Sequence, residues 1–109
     1  MTKRRTDLLQ GTLDLIILKA LESQPMHGYA VARTIERVTD DVLRVEEGSL
    51  YPALHRMEER GWIAAEWGRS ENRRRAKFYS LTETGRSQLS EEADEWARYA
   101  RAVGRMLAL

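Results

Sequence analysis

Residues 48–81, "GSLYPALHRMEERGWIAAEWGRSENRRRAKFYSL", change hydrophobic period part-way through, and that change decides the fold. In the first half Leu50, Leu54 and Met57 recur at helical spacing and form one apolar stripe. Ser49 is expected to cap this helix, Pro52 to fall in its first turn, where a missing N–H is tolerated, and Gly61 to end it. From Ile63 the period becomes two. Ile63, Ala65 and Trp67 alternate with Ala64 and Glu66, which is a strand pattern, and "AKFYSL" follows with two aromatics suited to a pleated surface. The connection over residues 68–75 is longer than a tight hairpin turn requires.

On the N-terminal side, Leu9, Leu13, Ile16, Ile17, Ala20 and Leu21 predict a helix over residues 7–23, stopped by Gln24-Pro25. "MHGYAVARTIERVTDDV" predicts a second helix, with Val31, Ile35 and Val38 turned inward. On the C-terminal side, "TETGRSQLSEEADEWARYARAVGRMLAL" predicts one long helix, capped by Thr82 and with Glu83 near its positive end. The expected fold is mainly α with a small β-hairpin, in the order of a winged helix-turn-helix plus a long C-terminal dimerisation helix. Residues 1–81 would form the DNA-binding unit and residues 82–109 the dimerisation helix. In that arrangement the third helix enters the major groove and the hairpin, or wing, lies along the backbone.

Charge distribution bears on this expectation. The chain carries a net charge of only +1, yet Arg69, Arg73, Arg74, Arg75 and Lys77 crowd around a single carboxylate, Glu71. Everything else is therefore net negative. An arginine run is commonly a solvated face. Here it occupies the tip of a hairpin just after a helix-turn-helix-like segment, which favours a finger that neutralises phosphates. On the third helix, the side opposite the apolar stripe carries Ser49, Pro52 and Arg56, flanked by His55 and Arg60. Ser49 and Tyr51 sit at the helix N-terminus, where free N–H groups favour a phosphate. Arg56, one turn further along, is within reach of a base edge or a second phosphate. The alternative is a surface helix whose arginines pair with Glu58 and Glu59.

The last helix has its own periodicity. Leu89, Ala93, Trp96, Ala100, Val103 and Leu107 keep a 4-3-4-3-4 spacing, a heptad seam. A helix over residues 83–107 would be roughly 37 Å long at 1.5 Å per residue, more than a three-helix core can cover. A second copy of the chain is the expected cover, with Leu9 and Leu13 of the first helix contributing.

Other chemistries find little support. Without cysteine there is no disulfide, thiolate nucleophile or zinc finger, and the composition suits a reducing compartment. His27 and His55 lie on different helices, so no metal site is expected. Glu46 and Glu47 read as dipole-favourable charges before a helix, and Ser49 has no partner base. Asp14 and Lys19 interrupt the apolar N-terminal run, and no stretch is long enough to span a bilayer. The expectation is a cytoplasmic protein that is neither an enzyme nor cofactor-dependent.

Together, "LQGTLDLIILKAL…MHGY", "GSLYPALHRMEERGWI" and "RRRAKFYSLTETGR" resemble the PadR family of bacterial transcriptional regulators, from about residue 8 to the end. The single helix after the wing is similar to the family's short subfamily. The resemblance implies a homodimeric repressor on palindromic operator DNA, approached by Ser49, Tyr51, the basic residues of the third helix and the wing at Arg73 to Lys77. It further implies that Trp96 could help line a cavity between subunits that accepts flat aromatic compounds. The family's wing often carries glycine beside its basic residues, whereas "SENRRRAK" has none. The competing reading is a winged-helix adaptor whose arginine wing grips an acidic protein.

Overall fold

A computed structural model describes the backbone of residues 2–109 and the side chains of residues 11–109. Helix α1 spans Thr2–Ala20, strand β1 Met26–His27, α2 Gly28–Val38, α3 Glu47–Glu59, β2 Ile63–Arg69, β3 Arg75–Leu81 and α4 Glu83–Leu107. The three strands form one antiparallel sheet in the order β1-β3-β2. The expected hairpin is β2–β3, in register from Ile63 opposite Leu81 to Arg69 opposite Arg75. Strand β1 is an addition. Two residues cannot show alternation, and Met26 and His27 are extended because Tyr79 and Phe78 of β3 pair with them.

The core forms where α1, α2 and α3 meet the base of the sheet. Ile17, Leu18, Val31, Leu50, Leu54 and Met57 are buried there, with Ile63 and Tyr79 closing the sheet side. The inward stripe of α3 is thus as the sequence places it. Val38, expected inward on α2, is instead 67% exposed. The helix ends at Val38, and Asp40 and Asp41 turn the chain away with φ of 50° and 62°. Aspartate is among the few residues that tolerate this left-handed region.

Several predicted boundaries move, each for a local reason. Helix α1 stops at Ala20 rather than residue 23, since Pro25 disfavours helical geometry for Gln24. Helix α2 runs to residue 38, not 42, and is capped by His27, whose Nδ1 accepts from the Ala30 N–H at 3.2 Å. Helix α3 begins at Glu47, with Glu46 as N-cap, so Ser49 lies inside the first turn and is not the cap. Glu47 supplies the negative charge that the helix N-terminus favours. Pro52 is consequently the sixth helical residue, on the exposed side, rather than in the first turn. Gly61 terminates α3 as expected. Its φ of +78° lets Gly61 N–H reach Glu58 O and Trp62 N–H reach Met57 O, both at 3.0 Å, the paired bonds of a Schellman stop.

Helix α4 is anchored by its first turn. Thr82 Oγ1 accepts from Gly85 N–H at 2.9 Å and donates to Gly61 O at 2.6 Å. A Cβ on Gly85 would stand 1.9 Å from the Trp62 carbonyl oxygen, which Thr82 N–H already holds. No side-chain motion relieves a clash with fixed backbone. Gly85→Ala is therefore expected to destabilise the protein by about 3 kcal/mol. A lowered denaturant midpoint at unchanged slope would show it, and a midpoint equal to the parent's would contradict this packing.

Candidate nucleic-acid interface

The N-terminal turns of α2 and α3 and the inner face of the wing enclose a cleft of about 590 Å³. His27, Tyr29, Tyr51, Trp67, Arg75 and Lys77 are among the residues that line it. Close approach of the two helices depends on Gly28. A Cβ there would fall 2.7–2.9 Å from Cε1, Cζ and the hydroxyl of Tyr51, so the hydroxyl end of the ring packs directly against the start of α2. Ser49, Tyr51, Pro52 and His55 are exposed along the adjoining side of α3, as anticipated.

Arg56 is differently placed. Its Nη2 donates to Asp14 Oδ1 of α1 at 2.9 Å, and its side chain is only 37% exposed. The sequence offered Glu58 and Glu59 as its partners, four residues or fewer away; the partner is instead on another helix. Lys77 is also paired, with Glu58 Oε1 at 3.2 Å, which ties β3 to α3. His55 lies 3.6 Å from Glu59.

Asp14 is held above the ordinary carboxylate range because burial costs its charged form more than the Arg56 guanidinium recovers. A carboxyl raised by folding favours the folded state at pH below its unfolded value, and that contribution is lost as pH rises through the raised one. Asp14→Asn keeps an acceptor for Arg56 and removes the desolvated charge. Its unfolding midpoint at neutral pH should equal or exceed the parent's, by less than about 1 kcal/mol, while the loss of stability from acid to neutral pH flattens. Thermal unfolding of both proteins at the two pH values checks this; a strongly destabilised variant would mean that the ion pair is net favourable.

The wing tip contains a cluster of exposed cations. Arg69, Arg73, Arg74 and Arg75 are all exposed, and among the described residues no carboxylate lies within salt-bridge distance of them. The tip itself is a tight turn. Arg73 N–H bonds Ser70 O at 2.9 Å, Ser70 N–H bonds Arg74 O at 2.8 Å, and Ser70 Oγ accepts from Arg74 N–H at 3.3 Å. Arg73 takes φ of +59°, the left-handed position that this hairpin loop usually fills with glycine. The wing lacking glycine thus follows the ordinary course, with arginine bearing a cost of about 1–2 kcal/mol. Arg69 also faces Arg75 directly across the two strands, an unfavourable like-charge pair unless an anion lies between.

On α4, the rings of Trp96 and Tyr99 lie 5.8 Å apart between centroids at a tilt of 35°. They line an open groove of about 360 Å³ with Gly11, Thr12 and Leu15 of α1. Leu89, expected in the dimer seam, is 6% exposed in the single chain and belongs to its own core. The seam open to a partner therefore starts at Ala93. Leu13 is half-buried against the same core, and the side chain of Leu9 lies outside the described residues.

Residues 17–91 match the transcriptional regulator PadR-like family. The chain belongs to this family. Its PadR-like fold is shared with solved structures of known class. A transcriptional regulator from Clostridium thermocellum is 28% identical, with a TM-score of 0.82 over 91% of this chain and 96% of that one. A PadR-like transcriptional regulator from Bacillus cereus is also 28% identical, with a TM-score of 0.78 over 93% and 96%. An uncharacterised protein of Lysinibacillus sphaericus is 32% identical over 93 residues, 85% of each chain. A 37.1 kDa transposon protein of Streptomyces fradiae is 36% identical over 89 residues, 82% of this chain but 24% of that protein's length. The family and these structural neighbours are transcriptional regulators, not enzymes. No described helix is long and apolar enough to cross a membrane. The PadR-like match ends at Glu91, just past Leu89, the last buried residue of α4.

Three features were missed at the level of sequence. Asp14 read as an interruption of an apolar run, and only folding brings it to Arg56, 42 residues away. The Gly28–Tyr51 contact joins residues on different helices, beyond the reach of any spacing rule. Trp67 continues the alternation of Ile63 and Ala65 on β2, yet it is 57% exposed where Ile63 is buried, because the core runs out before the strand does.

Proposed function

We propose that the protein is a cytoplasmic, homodimeric transcriptional repressor that binds palindromic operator DNA. The observation that carries this reading is the exposed cluster Arg69, Arg73, Arg74 and Arg75, none of them in a salt bridge among the described residues, set across a cleft from the N-terminus of α3. Residues 1–81 bind the duplex and residues 82–109 pair the subunits. The exposed side of α3, from Ser49 and Tyr51 through Pro52 to His55 and Arg56, enters the major groove, while the wing lies on phosphates. Pairing through α4 sets two α3 helices against two half-sites, which is why a palindrome is the matching operator. The α1–α4 groove at Trp96 and Tyr99, closed by a partner subunit, suits a flat aromatic effector.

Arg56 has a defined part in this reading. To touch a base edge its guanidinium must leave or share Asp14, so Arg56 contributes to specificity through an exchange of partners. The test is anisotropy of duplex from upstream of the protein's own gene, against random duplex, across a salt series. Arg56→Ala should change the preference between the two by about 1–3 kcal/mol. Equal weakening of both would reduce Arg56 to a phosphate contact. Binding of neither duplex, with capture of an acidic protein instead, would favour the adaptor function.

A further inference from the structure

Trp67 is a large aromatic residue that the core does not use, standing on the part of β2 that projects beyond the helices. It is 57% exposed, an unfavourable place for an indole unless something covers it. What lies on it is a cation. The Arg75 guanidinium carbon is 4.6 Å from the centre of the indole. The strand register explains the meeting: Trp67 opposes Lys77, and the next pair outward on the same face is Arg69 with Arg75. Trp67 and Arg75 are therefore diagonal neighbours on one face of the wing, and both line the cleft towards α2 and α3.

We propose that Trp67 is a positioning residue for DNA binding, acting through Arg75. A free arginine opposite Arg69 would swing away from its like charge and lose much of its freedom on meeting a phosphate. The indole face attracts the guanidinium and fixes it over the cleft before DNA arrives. Planar stacking leaves the N–H edge of the guanidinium open for phosphate oxygens. The wing thereby contains one oriented cation at Arg75, beside Arg73 and Arg74 on the turn. This inference rests on the DNA reading above, and deepens it by naming which contact is preorganised and by what.

A double-mutant cycle tests it, with duplex affinity and salt slope measured for the full-length protein. Trp67→Leu removes the π-face while keeping an apolar side chain, and should weaken binding about two- to fivefold. Trp67→Phe restores a ring face and should recover most of that loss. The decisive arm is Trp67→Leu in an Arg75→Ala background, where no further weakening is expected because the indole has no cation left to hold. A merely structural Trp67, or one that itself touches DNA, would weaken binding equally with and without Arg75; that result overturns the proposal. So would full affinity for Trp67→Leu beside weakened Arg75→Ala. Thermal unfolding of each variant confirms that the fold is intact. If replacing Arg73 and Arg74 leaves DNA binding untouched as well, the wing is not a DNA contact and the DNA reading itself falls, a result distinct from failure of the Trp67 arm alone.

Discussion

Replacing Arg73, Arg74 and Arg75 together by alanine is expected to weaken operator and random duplex by similar factors, on the order of a hundredfold at physiological salt if all three contact phosphates. The slope of log affinity against log salt should flatten by nearly one unit for each phosphate that is no longer neutralised. Similar factors follow from the chemistry of the interaction. Phosphates are the same in every sequence, so cations at a wing tip add affinity without preference. The fold should survive, since the three side chains are exposed and the hairpin is held at its base by Tyr79 in the core and Lys77 on Glu58. Stability should hold or rise. Alanine does not relieve the φ of +59° at residue 73, but it removes the repulsion between Arg75 and Arg69. Arg73→Gly alone would relieve the strain and separate the two effects: the unfolding midpoint should rise while the salt slope falls by a single phosphate's share. A triple variant that binds with the parent's affinity and slope would remove the wing from DNA recognition.

The wing also shows what a sequence can and cannot disclose. Its existence was legible because the switch from helical to alternating period at Gly61–Ile63 is a local event, written in consecutive residues. The stop at Gly61 and the cap at Thr82 were legible for the same reason, since each depends on one residue type and its near neighbours. The inward stripe of α3 was legible because periodicity fixes a face. What periodicity cannot fix is where the core ends. Trp67 continues the alternation of buried Ile63 beyond the core, and Val38 continues the inward stripe of α2 past its useful length; both are exposed. Leu89 fails in the opposite sense, fitting a heptad seam while packing inside its own subunit.

The candidate interface divides in the same way. Its cations were visible as composition, but their availability was not. Arg56 and Lys77 look equivalent to the wing-tip arginines in sequence, and the fold gives each a carboxylate from another element. Asp14 and Glu58 lie 42 and 19 residues from the groups they hold, beyond any spacing rule. The arginine in the left-handed turn position is a case where sequence and structure together say more than either. Absence of glycine looked like a departure from the family's wing; the turn here still has a left-handed residue, and a charged side chain occupies that position at a cost. A costly residue beside a like-charge cross-strand pair points to a site arranged for an anion rather than for stability.

Val103→Asp together with Leu107→Asp is expected to convert a dimer into folded monomers, raising the dissociation constant by about three orders of magnitude or more. Helix α4 is 25 residues long and its own core uses only the first two turns, the last buried residue being Leu89. The remainder projects along a molecule measuring 50 × 28 × 24 Å. From Ala93 the seam runs through Trp96, Ala100, Val103 and Leu107, with Trp96 at 45% and Leu107 at 63% exposure in the single chain. A contiguous apolar stripe of this kind is a liability in a monomer and an interface in a dimer. Alanines at residues 93 and 100 permit close approach of two helices, and a carboxylate at residue 103 or 107 would be desolvated between them without a partner. Because both positions are exposed in the isolated chain, the double variant should keep the parent's helix content and a cooperative unfolding transition, while light scattering reports half the mass. Binding to a single half-site should then persist at reduced affinity, and the advantage of a two-half-site duplex over a single half-site should disappear, because one α3 helix no longer brings the second. Unchanged mass would place the subunit interface elsewhere and leave the exposed stripe of α4 without its proposed role.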